Sequence, residues 1–536
     1  MATPLHLTKT SLAIIAKPEF PKLLQTNVSA NAQEATMIRS AAAAAREQLQ
    51  RVQAELEQAE PYVEQLRAQR DELKEYTQRY NCVASGIRNL PVEILVVIFL
   101  LLRPNPNDEP SSFDVRGWPW SLARVCSRWR SVIASTPQFW GKIISTMPPI
   151  PRLDTRKSIR HSLHVNWIYD LTKTILSRTN DLPLSVTFSP IFMQEHSRSL
   201  SLLLSTSSRW REATLNFHPV ISSEVPEHFS DIENKLDALE TLKVVVDHDY
   251  QPIQPKTLNT IFHAAPKLHT AKLVGPSALV YFQLPWHQLT TLTYEDLEVL
   301  PHALDIFHHM PQLINLSIRG TFGPLDDFEP ILLPNLSSLS LTIDANYVQV
   351  WTLPGLQYLI INIDYEEPIP DFLDLTTITA MLRRSSCPLN TLSIQAPALS
   401  NDNDNNEIIP LLLAVPTLKT LRLSRLRVVS RNLLRALTLD TSRGTSNIAP
   451  SLLHVVLHAL QEGEPGVISA LLAFLESRRK AGSDFGLKRA LITVPPELFT
   501  IPSQANRLMR LEDSGLQVQI LSAGSFLEDY YPNGQA

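Results

Sequence analysis

The sequence predicts a mixed α/β solenoid, an α+β chain in which helices come first and a stack of strand-and-helix units follows. Three observations lead there. From about residue 180 a Pro-x-Leu-x-x-Leu-x-Leu unit recurs along the chain. At 536 residues the chain exceeds what one hydrophobic core normally holds, so several units or a repeat array are expected. Upstream of the array, apolar residues instead recur at three- and four-residue steps, the spacing of one helix face.

Taken in order, residues 1–36 lack sustained periodicity and read as a loosely ordered leader. Residues 37–85 read as a helical, coiled-coil-like segment. Its seam runs Leu49, Val52, Leu56, Ala59, Val63, Leu66, then Leu73 and Tyr80, with Arg70 and Thr77 interrupting. Pro61 falls inside the segment and is expected to kink it or split it in two, because proline removes a backbone donor and clashes with the preceding turn. The seam is read as an amphipathic helix lying back on the helices that follow; self-association is the other reading.

Residues 86–146 read as a compact helical module. In Leu90-Pro91-Val92-Glu93-Ile94-Leu95, Pro91 suits a first helical turn and Glu93 complements the positive helix end. Ile94, Leu95, Val97, Ile98, Leu101 and Leu102 cover more than one helix face. A second helix is expected over about Trp120 to Ser135, stopped by Pro137, with Cys126 a small buried hydrophobe. Between the two, Arg103 to Ser112 is too rich in Pro, Asn and Asp for helix or strand.

An LP-x-E-I opening, a V-C-x-x-W helix (Val125, Cys126, Trp129) and a closing P-x-x-W (Pro137, Trp140) occur in that order, and the stretch resembles an F-box. The resemblance covers about residues 87–144, with an inter-helix loop longer than usual for the family. It implies docking onto an Skp-type adaptor that bridges to a cullin scaffold and a RING ubiquitin ligase. It also implies that Leu90, Pro91, Glu93, Ile94, Ile98, Val125, Trp129 and Trp140 pack the module or bind the adaptor.

Residues 180–525 carry the repeated unit, and 526–536 read as a tail. Clear copies begin at Pro311, Pro334, Pro354 and Pro416, ending in the pairs Leu316/Ile318, Leu339/Leu341, Leu359/Ile361 and Leu421/Leu423. Weaker copies include those around Leu239, Pro266, Leu289, Pro388 and Pro450. Proline sets the approach, the first leucine anchors beneath a turn, and the final alternating pair places two apolar side chains on one strand face. One such unit cannot bury its apolar face alone, whereas stacked units share a core, and the array resembles irregular leucine-rich repeats. Segments at 258–265, 300–307 and 408–414 read as outer helices. Ser400 to Glu407 reads as a polar loop whose Asp402, Asp404 and Asn406 alternate like a calcium loop but lack its Gly and closing Glu.

Strand residues facing away from the core are candidates for holding a target protein: Ser317, Arg319, Ser340, Thr342, Asn362, Gln395, Arg422 and Ser424. Against 48 Lys plus Arg stand 53 Asp plus Glu, a net charge of -5 that offers no global attraction to nucleic acid or an anionic membrane. Three cysteines without CxxC spacing make neither a disulfide framework nor a zinc cluster, which suits a cytoplasmic or nuclear protein. No signal-peptide core or membrane span is expected, since Ala13–Ala16 and Ile94–Leu102 are too short. No P-loop, GxGxxG, GxSxG or HExxH run occurs, and 15 glycines leave little for phosphate-cradling loops. His308 and His309, adjacent on an expected helix, point in different directions, and His454/His458 lack a third ligand. The expectation is therefore a non-enzymatic subunit of a cullin-based ubiquitin ligase, without cofactor or metal, binding adaptor through the F-box and target through the repeats. A protein-interaction scaffold without ubiquitin transfer is the alternative.

Overall fold

The computed structural model describes residue 25 and residues 28–521, except 106–107, 146–157, 189–196, 218–228, 247–259, 276–277, 300, 323–328, 343–345, 363–374, 396–403, 425–429, 441–446, 459–465, 481–485 and 494–501. Most of the leader, the whole tail and Asp402 therefore lie outside the described residues. The chain divides into two compact units, Met1–Val97 and Ile98–Ala536.

In the first unit, helix α1 spans Ala32–Ala84, 53 residues or about 80 Å of rod. It starts on a reciprocal cap: the Asn31 side chain accepts from the Glu34 amide at 2.8 Å, and the Glu34 carboxylate accepts from the Asn31 amide at 2.9 Å. Alanines 41–45 and a body rich in Glu, Gln, Arg and Leu are strong helix formers. Of the kink or split expected at Pro61, the split does not occur: the residue lies inside one continuous helix. One proline costs about 3 kcal/mol, and good helix formers on both sides of it sustain the rod. Leu49, Val52, Leu56, Val63, Leu66, Leu73 and Tyr80 are all exposed. A 3-10 turn over Gly86–Asn89 leads into helix α2, Val92–Leu101, within which the first unit passes to the second.

The second unit opens with a small aromatic cluster. Helix α3 covers Ser127–Ser135, shorter than expected, because Cys126 caps it. The Cys126 sulfur accepts from the Trp129 amide at 3.5 Å, and this residue is exposed, not the buried hydrophobe the sequence suggested. Pro137 ends α3 in a 3-10 turn, Pro137–Phe139.

Beyond it lies a 14-stranded parallel sheet, so the chain is mixed α/β. Its strands are β1 (Lys142–Ser145), β2 (Leu184–Phe188), β3 (Trp210–Phe217), β4 (Thr241–Val246), β5 (Thr270–Val274), β6 (Thr291–Val299) and β7 (Asn315–Phe322). After a two-residue strand β8 (Ile331–Leu332) come β9 (Ser338–Thr342), a second short strand β10 (Trp351–Thr352), β11 (Tyr358–Asn362) and β12 (Thr391–Gln395). The sheet closes with β13 (Thr420–Ser424), β14 (His454–His458), β15 (Arg489–Thr493) and β16 (Gln517–Leu521). Strand order follows chain order, while β8 and β10 pair separately.

Parallel neighbours require crossovers, and helices or 3-10 turns supply many of them. Among these are α4 (Ser158–Arg178), α5 (Ser197–Leu204), α6 (Ala278–Tyr281), the 3-10 stretch Pro301–His309, α7 (Thr376–Ser385) and α8 (Asp404–Leu413). Then follow α9 (Arg431–Leu437), α10 (Val467–Lys480) and α11 (Pro502–Asp513). Two local expectations are corrected. Residues 261–264 form turns where an outer helix was expected, Phe262 and Ala265 already filling the core there. Asp404 begins helix α8 where a polar loop was expected, the apolar Ile408, Leu411 and Leu412 drawing the segment onto the core at helical spacing.

The core is two stacked rows of large apolar side chains, the first of them all leucine. Leu292, Leu316, Leu339, Leu359, Leu392 and Leu421 pair in register across six strands, and Tyr294, Ile318, Leu341, Ile361, Ile394 and Leu423 form the next row. All twelve are buried, as are the anchors Leu313, Leu336, Leu356 and Leu418 beneath the turns. Alternate strand positions are only half-buried in β2, β4, β5 and β13, so one sheet face carries the core and the other does not. Arginines brace the turns. Arg209 donates to Leu182 O (2.8 Å) and Thr179, Arg384 to Trp351 O (3.2 Å), and the buried Arg478 to Leu437 O (2.7 Å) and Ile448 O (2.6 Å). Gly275, at φ +100°, sits where a Cβ would come within 1.8 Å of Val246 O.

Candidate functional site

The first candidate surface is the LP-x-E-I stretch. Helix α2 buries Leu95 and Phe99, one turn apart, while Val92, Ile94, Val97 and Leu101 are exposed. Pro91 and Glu93 are also exposed, and Leu90 and Ile98 are half-buried. An almost wholly apolar helix that leaves such side chains in water has surface to give a partner.

Further along, the second unit packs around aromatic rings. The Phe99 ring lies 4.6 Å from Trp129, and Trp118 donates from its indole to Phe99 O at 3.0 Å. Trp120 meets Trp140 edge-on at 4.8 Å, and the Arg178 guanidinium sits 4.5 Å from the Trp140 ring and 5.2 Å from that of Trp120. Burial holds the Arg178 pKa below its ordinary value. Trp140 is buried and donates to Ile133 O at 2.8 Å. Of the two roles the resemblance implies for it, packing or binding, its burial fits packing. Val125 is exposed and Trp129 half-buried.

The long loop after α2 is anchored rather than loose. Glu109, its carboxylate nearly buried, pairs with Arg103 at 2.8 Å and with Lys142 on β1. Ser112 donates its amide to Ile144 O at 2.8 Å and accepts from the Ile144 amide at 2.9 Å through its hydroxyl. The loop is thereby sewn to the first strand of the sheet. Composition announced a loop, but nothing in it announced these partners more than thirty residues away.

The second candidate surface is the sheet face away from the core. Register sorts the eight sequence candidates into two rows. Ser317, Ser340 and Arg422 share one row with Ile360 and Ser393; Arg319, Thr342, Asn362, Gln395 and Ser424 form the adjacent one. Arg319 is exposed, and Ser317, Ser340, Asn362, Gln395, Arg422 and Ser424 are half-buried.

Sequence reasoning missed a third row, at the first position of each strand: Thr291, Asn315, Ser338, Tyr358, Thr391, Thr420, His454 and Arg489. Its signal was the polar residue just before each apolar pair. Charge is uneven along the face. Lys272 pairs with Glu295 at 2.6 Å on β5 and β6, whereas cations gather on β13–β15. There burial first, then Lys488, Arg489 and Arg422, hold His454 below its ordinary pKa.

Among the described residues no group of three or more His, Cys, Asp or Glu could hold a metal ion, and no single helix is long and apolar enough to cross a membrane. Burial raises the pKa of the Cys387 thiol. That disfavours its thiolate. No protein-family model matches this chain, and no curated protein matches it.

Proposed function

We propose that this chain is the substrate-recruiting subunit of a cullin-based ubiquitin ligase. Residues 86–146 act as an F-box that docks an Skp-type adaptor, and residues 180–525 act as an irregular leucine-rich-repeat solenoid that holds a target protein. The observation that carries the reading is helix α2, which opens on the F-box-like Leu90-Pro91-Val92-Glu93-Ile94 and leaves Val92, Ile94, Val97 and Leu101 exposed. Covering such side chains is favourable by about 25 cal/mol per Å² of apolar surface removed from water. Support for the second half is the polar face of three registered rows, on a scaffold whose stacked strands share one core.

The mechanism is proximity, and the chain performs no bond chemistry itself. Tethering the adaptor at one site and the target at another raises the effective concentration of target lysines near the ubiquitin-charged enzyme. Such an assembly works in the cytoplasm or nucleus. Copurification from cells tests the proposal. Adaptor and cullin are expected with the wild-type chain, and both are lost from the triple variant Leu90→Ala, Pro91→Ala, Ile94→Ala. Recovery of neither with wild type would sink it, and adaptor without cullin would favour a scaffold that transfers no ubiquitin.

A further inference from the structure

Helix α1 carries more heptad order than its broken hydrophobic pattern first suggests. Taking Leu49 as position a, the seam places Leu49, Leu56, Val63, Arg70 and Thr77 at a, and Val52, Ala59, Leu66, Leu73 and Tyr80 at d. Upstream the same register holds Ile38, Ala42 and Ala45. Pro61 falls at f, on the side opposite the seam, where its missing N–H and its ring do not disturb a partner. The ion pairs Glu47–Arg51 and Glu75–Arg79 lie at f and c, likewise away from it. The large seam residues are exposed by between 43% (Val63) and 73% (Tyr80), so the stripe is available along the whole rod.

The interruptions decide what can cover it. In a parallel pair of copies, position a meets a, so Arg70 would face Arg70, and Glu55 at g would face Glu60 at e, like charge on like charge at every one of these contacts. An antiparallel pair centred between Val63 and Leu66 removes both conflicts. Val63 then meets Leu66, Leu56 meets Leu73, and Leu49 meets Tyr80. The bulk of Arg70 comes opposite the smallest seam residue, Ala59. Along the flank, Glu60 comes opposite Arg67, twice by symmetry, and Gln53 opposite Lys74. Sliding the centre by half a heptad either way sets Glu60 against Glu60 or Arg67 against Arg67. Of these three registers, the one centred between Val63 and Leu66 alone satisfies the charges.

We infer that α1 is a self-association element, covered in solution by the α1 helix of a second copy of this chain in antiparallel orientation about the Val63/Leu66 centre. Nothing in this depends on the ubiquitin-ligase reading.

Sedimentation of the full-length chain at micromolar concentration tests it. A dimer is expected, and Leu56→Asp with Leu66→Asp should give a monomer; these side chains are exposed within the chain, so folding is not at stake. Glu60→Arg should weaken the dimer about tenfold by turning two attractive flanks repulsive, and Glu60→Arg combined with Arg67→Glu should restore it. A monomeric wild type would overturn the inference, as would a dimer that survives the double aspartate variant. A dimer tightened by Glu60→Arg would refute the antiparallel orientation, because that change relieves the Glu55–Glu60 clash of a parallel pair.

Discussion

Replacing Trp140 and Ile94 separately distinguishes a residue that packs the aromatic cluster of the second unit from one that is exposed on α2. Trp140 is 2% exposed, donates to Ile133 O and packs its ring against Trp120 and the Arg178 guanidinium. Truncation of a buried tryptophan to alanine costs about 3–5 kcal/mol. With the lost hydrogen bond and cation–ring contact included, Trp140→Ala is expected near the top of that range, while Trp140→Phe, which keeps most of the apolar volume, should cost about 1–2 kcal/mol. Ile94 is 47% exposed, so its truncation should cost less than about 1 kcal/mol. Urea titration followed by far-ultraviolet circular dichroism gives the ordering, and capture of the adaptor gives the second axis. The expectation is that Ile94→Ala leaves stability nearly intact and weakens adaptor capture. If Trp140→Ala costs under about 1 kcal/mol, or Ile94→Ala costs as much as Trp140→Ala, Trp140 is not the packing residue and Ile94 not the dispensable one.

Two other outcomes follow from the sheet. Leu339, fully buried between Leu316 and Leu359, should cost about 3 kcal/mol on truncation to alanine, while Ser340→Ala on the opposite face should stay within about 0.5 kcal/mol; equal costs in urea unfolding would contradict the assigned register. His454, whose folded-state pKa is depressed, binds fewer protons in the folded chain than in the unfolded one as pH drops below about 6.5, so stability should decline through that window. Thermal melts across it should show a shallower decline for His454→Gln, and an identical slope would count against the burial and the cation cluster.

Much of the sheet was legible because its physics is local. In the units at Pro311, Pro334, Pro354 and Pro416, the alternating apolar pair falls inside a strand and is buried. The facing-away residues followed from alternation alone, but which of them share a row depends on register across strands 20 or more residues apart, which no single unit encodes. Cys126 departs from its expected burial for a similar reason. Its hydrophobic neighbours suggested burial, whereas its position just before α3 made it a cap. At Pro61 the split does not occur, because a local rule about one hydrogen bond competes with the propensity of 53 residues. The pinning of the long loop by Glu109, and the bracing of turns by Arg209, Arg384 and Arg478, needed partners far along the chain.

Because each strand of the long sheet bonds only to strands adjacent in chain order, changes in length can be absorbed between strands. From Leu339 to Leu359 the chain takes 359−339 = 20 residues and from Leu359 to Leu392 it takes 392−359 = 33, yet both steps keep Leu opposite Leu. An insertion in a connection therefore leaves the ladder untouched, whereas a single residue inserted within a strand would turn its apolar pair toward water. Under mutation, such a chain is free to lengthen, shorten or decorate its crossovers unit by unit, and can acquire or lose a whole strand without re-registering the rest.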